Sequence, residues 1–197
     1  FLNRGLQLTL RDDRDDEDTQ GEKFLYEGGI SEYVRFLNQN KTPLTNTVIH
    51  LEGTQDDIFL EVAMQYNTSY NDNIYSFVNN INTHDGGTHE EGVRRALTRI
   101  INNYARKSKM LKEKDESLTG DDVKEGLTMI ISCKHPNPQF EGQTKGRLGN
   151  SEVRKIADNI FAEGFDRYLM ENPAEAKTIV EKAMLASRAR NAAKKAR

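Results

Sequence analysis

Apolar and polar residues alternate near the start of the chain, where Leu6, Leu8 and Leu10 are separated by Gln7 and Thr9. A period of two marks a strand with one face to bury. Phe24, Leu25 and Tyr26 supply a second such run, so the pattern predicts a hairpin whose strands are joined by a solvated turn. After Gly28-Gly29 the period changes: Ile30, Tyr33, Val34 and Leu37 fall at i, i+3, i+4, i+7, which predicts a short helix that stops near Thr42-Pro43. Alternating or β-branched runs then predict strands over 45–51, 58–66 and 74–81. From residue 88 to about 109, Val93, Leu97, Ile100, Ile101 and Tyr104 keep helical spacing, and Thr88 with Glu91 three positions later reads as a capping box. Residues 109–122 are charged and aperiodic and predict a mobile surface loop. The run GLTMIISCK at 126–134 predicts a buried strand, with Phe140 opening a further short pairing. Two helices follow, over 151–170 and from Pro173, where Asn172 stands at the N-cap, Pro173 at the first helical position and Glu175 at the third. Alanines and a basic end (Arg188, Arg190, Lys194, Lys195, Arg197) suit a last helix that extends away from the body. There is no internal repeat.

With 197 residues the chain has room for one sizeable core, or one domain and part of another. Its net charge of −3 conceals segregation: residues 11–22 carry seven acids against two bases, whereas residues 172–197 carry seven bases against two acids. The single cysteine, Cys133, excludes an internal disulfide and points to a reducing compartment, the cytoplasm by default. No apolar run approaches the roughly 20 residues that span a bilayer. The start Phe1-Leu2-Asn3-Arg4 is not a signal peptide, and without an initial Met the chain reads as a piece of something longer.

Candidate chemistry concentrates in the segment Glu141-Gly142-Gln143-Thr144-Lys145-Gly146-Arg147-Leu148-Gly149. Glycines permit positive φ, and a lysine and a glutamine held between them can reach a phosphate as charge and hydrogen-bond donor. The spacing is not that of a P-loop, and a flexible connector explains the same residues. His84 and His89, with the acids around them, flank a Gly-Gly turn rather than sharing a helix face, so no metal site is expected there. The helix from Thr88 carries Arg94, Arg95, Arg99, Arg106, Lys107 and Lys109. Arg95 and Arg99 lie one turn apart, which suits contact with a phosphate backbone as well as a solvated face, and nothing in the pattern points to base-specific readout. No Ser/His/Asp arrangement, nucleophile elbow or dinucleotide fingerprint is present, and this piece alone is expected to do no chemistry.

Four motifs occur in order: Tyr26-Glu27-Gly28-Gly29-Ile30, Asp85-Gly86-Gly87-Thr88-His89, Phe140-Glu141-Gly142-Gln143-Thr144-Lys145 and Leu148-Gly149-Asn150-Ser151-Glu152. Together they resemble the ATPase subunit of bacterial type II topoisomerases over nearly the whole chain. Lys134-His135-Pro136-Asn137-Pro138 is more similar to the gyrase branch than to topoisomerase IV. The resemblance implies that residues 1–27 are the closing hairpin of a largely absent ATPase domain and residues 28–197 a transducer domain. Its fold is then α+β, a mixed sheet with packed helices, a left-handed β-α-β crossover and a long C-terminal helix, although right-handed crossovers are the default. It also implies that Gln143 and Lys145 bind the γ-phosphate of ATP, with Lys145 in a catalytic role. Most of the ATP and Mg²⁺ site belongs to the absent domain, so no cofactor is expected to bind this piece tightly. Arg94, in Gly92-Val93-Arg94-Arg95-Ala96, resembles the arginine lining the DNA cavity between two subunits; Arg95 and Arg99, by their one-turn spacing, join it as expected DNA contacts. The activity implied is that of an ATP-hydrolysing topoisomerase subunit that couples gate closure to strand passage and negative supercoiling. The partners implied are the preceding ATPase domain, the DNA-cleaving gyrase A protein, duplex DNA and a second copy of the ATPase subunit, joined on ATP binding, with no membrane. A topoisomerase IV transducer and a non-enzymatic, sequence-neutral nucleic-acid-binding module are the alternatives.

Overall fold

A computed structural model describes residues 1–11 and 21–197. Along the chain lie β1 (Gln7–Leu10), β2 (Glu22–Leu25), α1 (Gly29–Leu37), β3 (Ile49–Gln55), β4 (Ile58–Tyr66), β5 (Asn73–Val78) and β6 (Ile81–Asn82). They are followed by α2 (Thr88–Lys107), α3 (Gly120–Lys124), β7 (Leu127–Lys134), β8 (Phe140–Glu141), β9 (Arg147–Leu148), α4 (Ser151–Glu171) and α5 (Pro173–Lys195). The main sheet has five strands in the order β3-β4-β7-β5-β6. It is mixed: β7 is antiparallel to β4 but parallel to β5, although α2 and α3 separate β5 from β7 in sequence. The fold is α+β.

Burial explains why β7 reads as one apolar run. It is central, with neighbours on both edges and cover on both faces, so Leu127 to Cys133 are all buried and no position is left for a solvated residue. In β4, Ile58, Leu60, Val62 and Met64 point into the larger core, with α2, α4 and α5. The opposite face is covered at Ala63 and Ile130 by Ile30 and Val34 of α1. Helix α2 buries Val93, Ala96, Leu97, Ile100, Ile101 and Ala105 at helical spacing. Each large side chain among them contributes about 2 kcal/mol by leaving water. Where α2 crosses α4 there is no room for a side chain: a Cβ on Gly92 would lie 2.3 Å from the backbone oxygen of Arg154.

The structure departs from the sequence pattern at several elements. The alternating face of the first hairpin is not covered, since Leu6, Leu8 and Leu10 are 51%, 59% and 65% exposed; β1 and β2 do pair, but most of the turn expected between them lies outside the described residues. Strand β3 starts at Ile49 and runs to Gln55, where Asp56 and Asp57 turn the chain with φ of 52° and 62°. The run expected over 74–81 breaks at Asn79 and Asn80, whose φ values of 48° and 66° make a tight turn into β6; short polar side chains tolerate that backbone best after glycine. The capping box expected at Thr88 is absent: Gly87 occupies the N-cap, Thr88 Oγ1 is buried with no partner among the described residues, and Glu91 is engaged elsewhere. A capping box is present at Thr119 and Asp122, inside the segment expected to be a mobile loop. That segment is pinned by buried Leu111 and Leu118 and by Arg106, which donates to the backbone oxygens of Lys112 and Asp115. Asn172 does stand at the N-cap of α5, yet its side chain donates back to Tyr168 O rather than capping the helix. Helix α5 packs through Ala176, Ile179, Val180, Ala183 and Ala186, and Arg190 forms a two-pronged bond to Asp122; Arg188, Lys194 and Lys195, and Arg197 beyond the helix end, are exposed.

Candidate functional site

The Gln143-Thr144-Lys145 segment is the tip of a hairpin. Phe140 pairs with Leu148 and Glu141 with Arg147, and the turn closes through Lys145 N donating to Gly142 O at 3.4 Å. Gly142 and Lys145 both take positive φ, 78° and 54°. Gln143, Thr144 and Lys145 are exposed, and Lys145 Nζ sits 5.9 Å from the centre of the Phe140 ring. The glycine flanking read from sequence thus produces a presented lysine on a closed turn.

The base of this hairpin is stapled to the start of α2. Asp85 N donates to Gly146 O at 2.8 Å, Leu148 N donates to Gly86 O at 3.2 Å, and Gly87 bridges Leu148 in parallel fashion. Gly87 has φ 139° and ψ −171°, a backbone region open essentially to glycine alone. Side chains reinforce the staple. Arg147 donates to Asp85 O at 3.1 Å, pairs with Glu141 at 3.2 Å, and bonds the Glu91 carboxylate. The second oxygen of Glu91 takes Arg154 of α4 at 2.8 Å. The Arg154 guanidinium, helped by Arg147 and opposed by partial burial, holds the Glu91 carboxyl below the usual range. The capping-box pattern in the sequence conceals this role of Glu91, and nothing in the spacing singles out Arg147; an acid at a helix start and an arginine beside a glycine-rich turn are the available signals.

The first turn of α2 faces two ways. Glu90 accepts from Ser76 Oγ at 2.9 Å and pairs with Arg94 at 2.6 Å, while Ser76 meets Thr83, whose hydroxyl lies 3.0 Å from His89 Nε2. Burial pushes the His89 imidazole down to about 4, so it is neutral, and its Nδ1 has no partner among the described residues. Arg95 and Arg99, by contrast, converge on Asp158 of α4 at 3.0 and 2.6 Å. The Arg99 bond, with Arg95 beside it and burial working against both, holds the Asp158 carboxyl low. The structure therefore brings Arg95 and Arg99 together on one acid and sets Arg94 apart on Glu90, with all three side chains about half exposed.

Among the described residues, His84 and His89 join no cluster able to hold a metal. The one such grouping is His50, Glu52 and Glu61 on β3 and β4, where the Glu61 hydrogen bond raises the pKa of His50 despite partial burial. Cys133 is buried, and its thiol is pushed up to about 12, so it behaves as a small apolar residue. No described helix is long and apolar enough to cross a membrane.

Comparison with known proteins agrees with this architecture. The DNA gyrase B protein of Streptococcus pneumoniae is 59% identical over 197 residues, covering all of this chain and 30% of the relative, so the chain spans less than a third of that protein. The 43K ATPase domain of Thermus thermophilus gyrase B, solved in complex with an aminocoumarin, superposes with a TM-score of 0.88 at 37% identity, covering 99% of this chain and 52% of that one. The topoisomerase IV ATP-binding domain of Francisella tularensis, solved with a small-molecule inhibitor, is more distant, with a TM-score of 0.77 and 26% identity over 94% of this chain and 49% of that one. The family model described as DNA gyrase B matches residues 29–197, the whole stretch from α1 through the stapled hairpin to α5. By sequence and by fold, the chain belongs to the DNA gyrase B family.

Proposed function

We propose that this chain is the transducer region of a gyrase ATPase subunit, in which Gln143 and Lys145 read the γ-phosphate of ATP bound by a preceding domain. The observation that carries the reading is the presented Gln143-Thr144-Lys145 turn on a hairpin bonded to α2, in a chain of this family. A ligand shifts a conformational equilibrium only through contacts that differ between the two states. Lys145 and Gln143 touch the γ-phosphate in the closed arrangement alone, so ATP favours closure and hydrolysis removes the bias. The ammonium of Lys145 beside the transferring phosphoryl group also stabilises charge as it develops, which is its catalytic role. Mg²⁺ and the rest of the nucleotide are held outside this chain.

Residues 1–27 then close the ATPase domain, whose other elements cover the exposed Leu6, Leu8 and Leu10, and residues 28–197 form the transducer. The movement passes through α5 toward the DNA-cleaving gyrase A protein, and two copies of the ATPase subunit dimerise on ATP to enclose a second duplex in the cytoplasm. Arg94, Arg95 and Arg99 guide that duplex by sequence-independent phosphate contacts, supported by their half-exposed guanidiniums. The match to the DNA gyrase B family model over residues 29–197 and the 59% identity to a gyrase B protein favour gyrase within the class. Hydrogen exchange in the full-length protein tests the sensor: a non-hydrolysable ATP analogue protects residues 141–149, ADP does not, and equal exchange with both nucleotides would refute it. Negative supercoiling by the enzyme reconstituted with gyrase A tests the gyrase assignment; relaxation or decatenation alone would transfer it to topoisomerase IV.

A further inference from the structure

Glu91 is the point at which the hairpin, α2 and α4 meet. One carboxylate oxygen takes Arg147 at the base of the Gln143-Thr144-Lys145 hairpin, and the other takes Arg154 in the first turn of α4. We propose that Glu91 is a positioning residue for ATP turnover: it clamps the sensing hairpin to both helices, so that Lys145 is held at a fixed height over the phosphate and a displacement of the hairpin moves α2 and α4 together. The inference rests on the γ-phosphate reading of Lys145.

The geometry favours a clamp over an ordinary surface ion pair. Arg147 is used on every side: its guanidinium bonds Glu91, Glu141 and the backbone oxygen of Asp85, so it joins the hairpin's own strand β8, the turn before α2 and α2 itself. The adjacent backbone staple, Asp85 N to Gly146 O and Leu148 N to Gly86 O, fixes the same two segments in register. At the tip the turn stands clear of the body: Gln143, Thr144 and Lys145 are exposed, and a Cβ on Gly142 would meet nothing within 4 Å. The tip can therefore be rigid only from its base. A misplacement of a phosphate-contacting group by about 1 Å is enough to cost two orders of magnitude in rate, so the base bonds govern turnover without touching substrate. On its other side, α2 places Glu90 on Arg94 one turn further on, which connects the sensing hairpin to the proposed duplex contact through a single helix turn.

The test uses the full-length protein assembled with gyrase A. Glu91→Gln keeps the shape and removes the charge. It is expected to lower kcat for ATP about tenfold, the effect of one weakened charge-assisted bond, while KM stays within about twofold. Arg147→Lys, which keeps the charge and loses the fork, is expected to fall between Glu91→Gln and the parent. The decisive readout is the double variant. If Glu91 acts through the hairpin, adding Glu91→Gln to Lys145→Ala lowers kcat no further, whereas independent losses multiply. Normal kcat in Glu91→Gln, or multiplicative losses in the double variant, overturns the clamp while a defective Lys145→Ala leaves the sensor standing. Normal turnover in Lys145→Ala overturns the sensor itself. Should Glu91→Gln not fold, Arg147→Lys with and without Lys145→Ala gives the same comparison.

Discussion

Gly87→Ala separates the stapled hairpin from a merely adjacent one. An added Cβ would lie 2.5 Å from Leu148 N, 2.6 Å from its carbonyl oxygen and 2.8 Å from its Cβ, so the backbone of β9 must retreat. Forcing atoms into a packed contact costs about 1–3 kcal/mol, and holding a non-glycine residue at this φ and ψ costs about 1–3 kcal/mol more. The sum is about 4 kcal/mol, which for a chain of this length lowers Tm by roughly 8–16 °C. Gly142→Ala is the matched control. It also imposes positive φ, 78°, but its Cβ meets nothing within 4 Å, so only the backbone strain of about 1 kcal/mol applies, a Tm loss of roughly 2–4 °C. Thermal unfolding followed by circular dichroism compares the two, and amide exchange at Leu148, which donates to Gly86 O, reports whether the staple has opened. Equal Tm losses, or unchanged exchange at Leu148 in Gly87→Ala, would refute the staple.

Acid should destabilise the chain between about pH 6.5 and pH 4, because the unfolded state protonates His89 at its ordinary value of 6.5 whereas burial keeps the folded imidazole neutral down to about 4. Stability is thus full above pH 6.5 and falls by up to about 3 kcal/mol as the pH drops. His50, raised by its bond to Glu61, pulls the opposite way and limits the net loss; urea unfolding of a His50→Gln variant at pH 7.5 and 4.5 isolates the His89 effect, and equal stability there contradicts the buried neutral imidazole. Asp158→Asn removes the charge of the common acceptor of Arg95 and Arg99; since those partners are 59% and 45% exposed, screening reduces the cost to about 1–2 kcal/mol, and a loss above about 4 kcal/mol by denaturant titration would contradict pairing to half-exposed arginines. Asp122→Ala releases both the α3 cap and Arg190, so amide exchange should rise over residues 187–195 while α4 stays protected; uniform exchange along α5 would show that the ion pair does not anchor it.

Elements with strong periodicity are legible in the sequence. The spacing of Val93, Leu97, Ile100 and Ile101 predicts α2, and the apolar run at 126–134 predicts a strand covered on both faces. Sequence rules fail where a tertiary partner outweighs a local one. Thr88 and Glu91 satisfy the capping pattern, but Glu91 gains two guanidiniums by turning to Arg147 and Arg154, and Gly87 takes the cap. Leu111 and Leu118 look like isolated apolar residues in a charged loop until α5 and α2 supply the core that buries them. The alternation of Leu6, Leu8 and Leu10 marks a face to bury, yet these three side chains stay more than half exposed. The glycines around Lys145 announce a turn, whereas the phosphate contact proposed for it rests on the family motifs, because a lysine on a hairpin has no spacing that names a phosphate. The clamp of Glu91 is invisible in the sequence because its two arginine partners lie 56 and 63 residues away.

In the proposed mechanism Lys145 reads the γ-phosphate. ATP turnover by the full-length protein carrying Lys145→Ala, measured beside binding of ATP and ADP, is the decisive measurement. Loss of an interaction made with the γ-phosphate in the transition state lowers kcat sharply, by about a hundredfold for a well-placed charge, while ADP affinity stays at the parent value. Turnover close to the parent's, with Lys145→Ala folded, would contradict it.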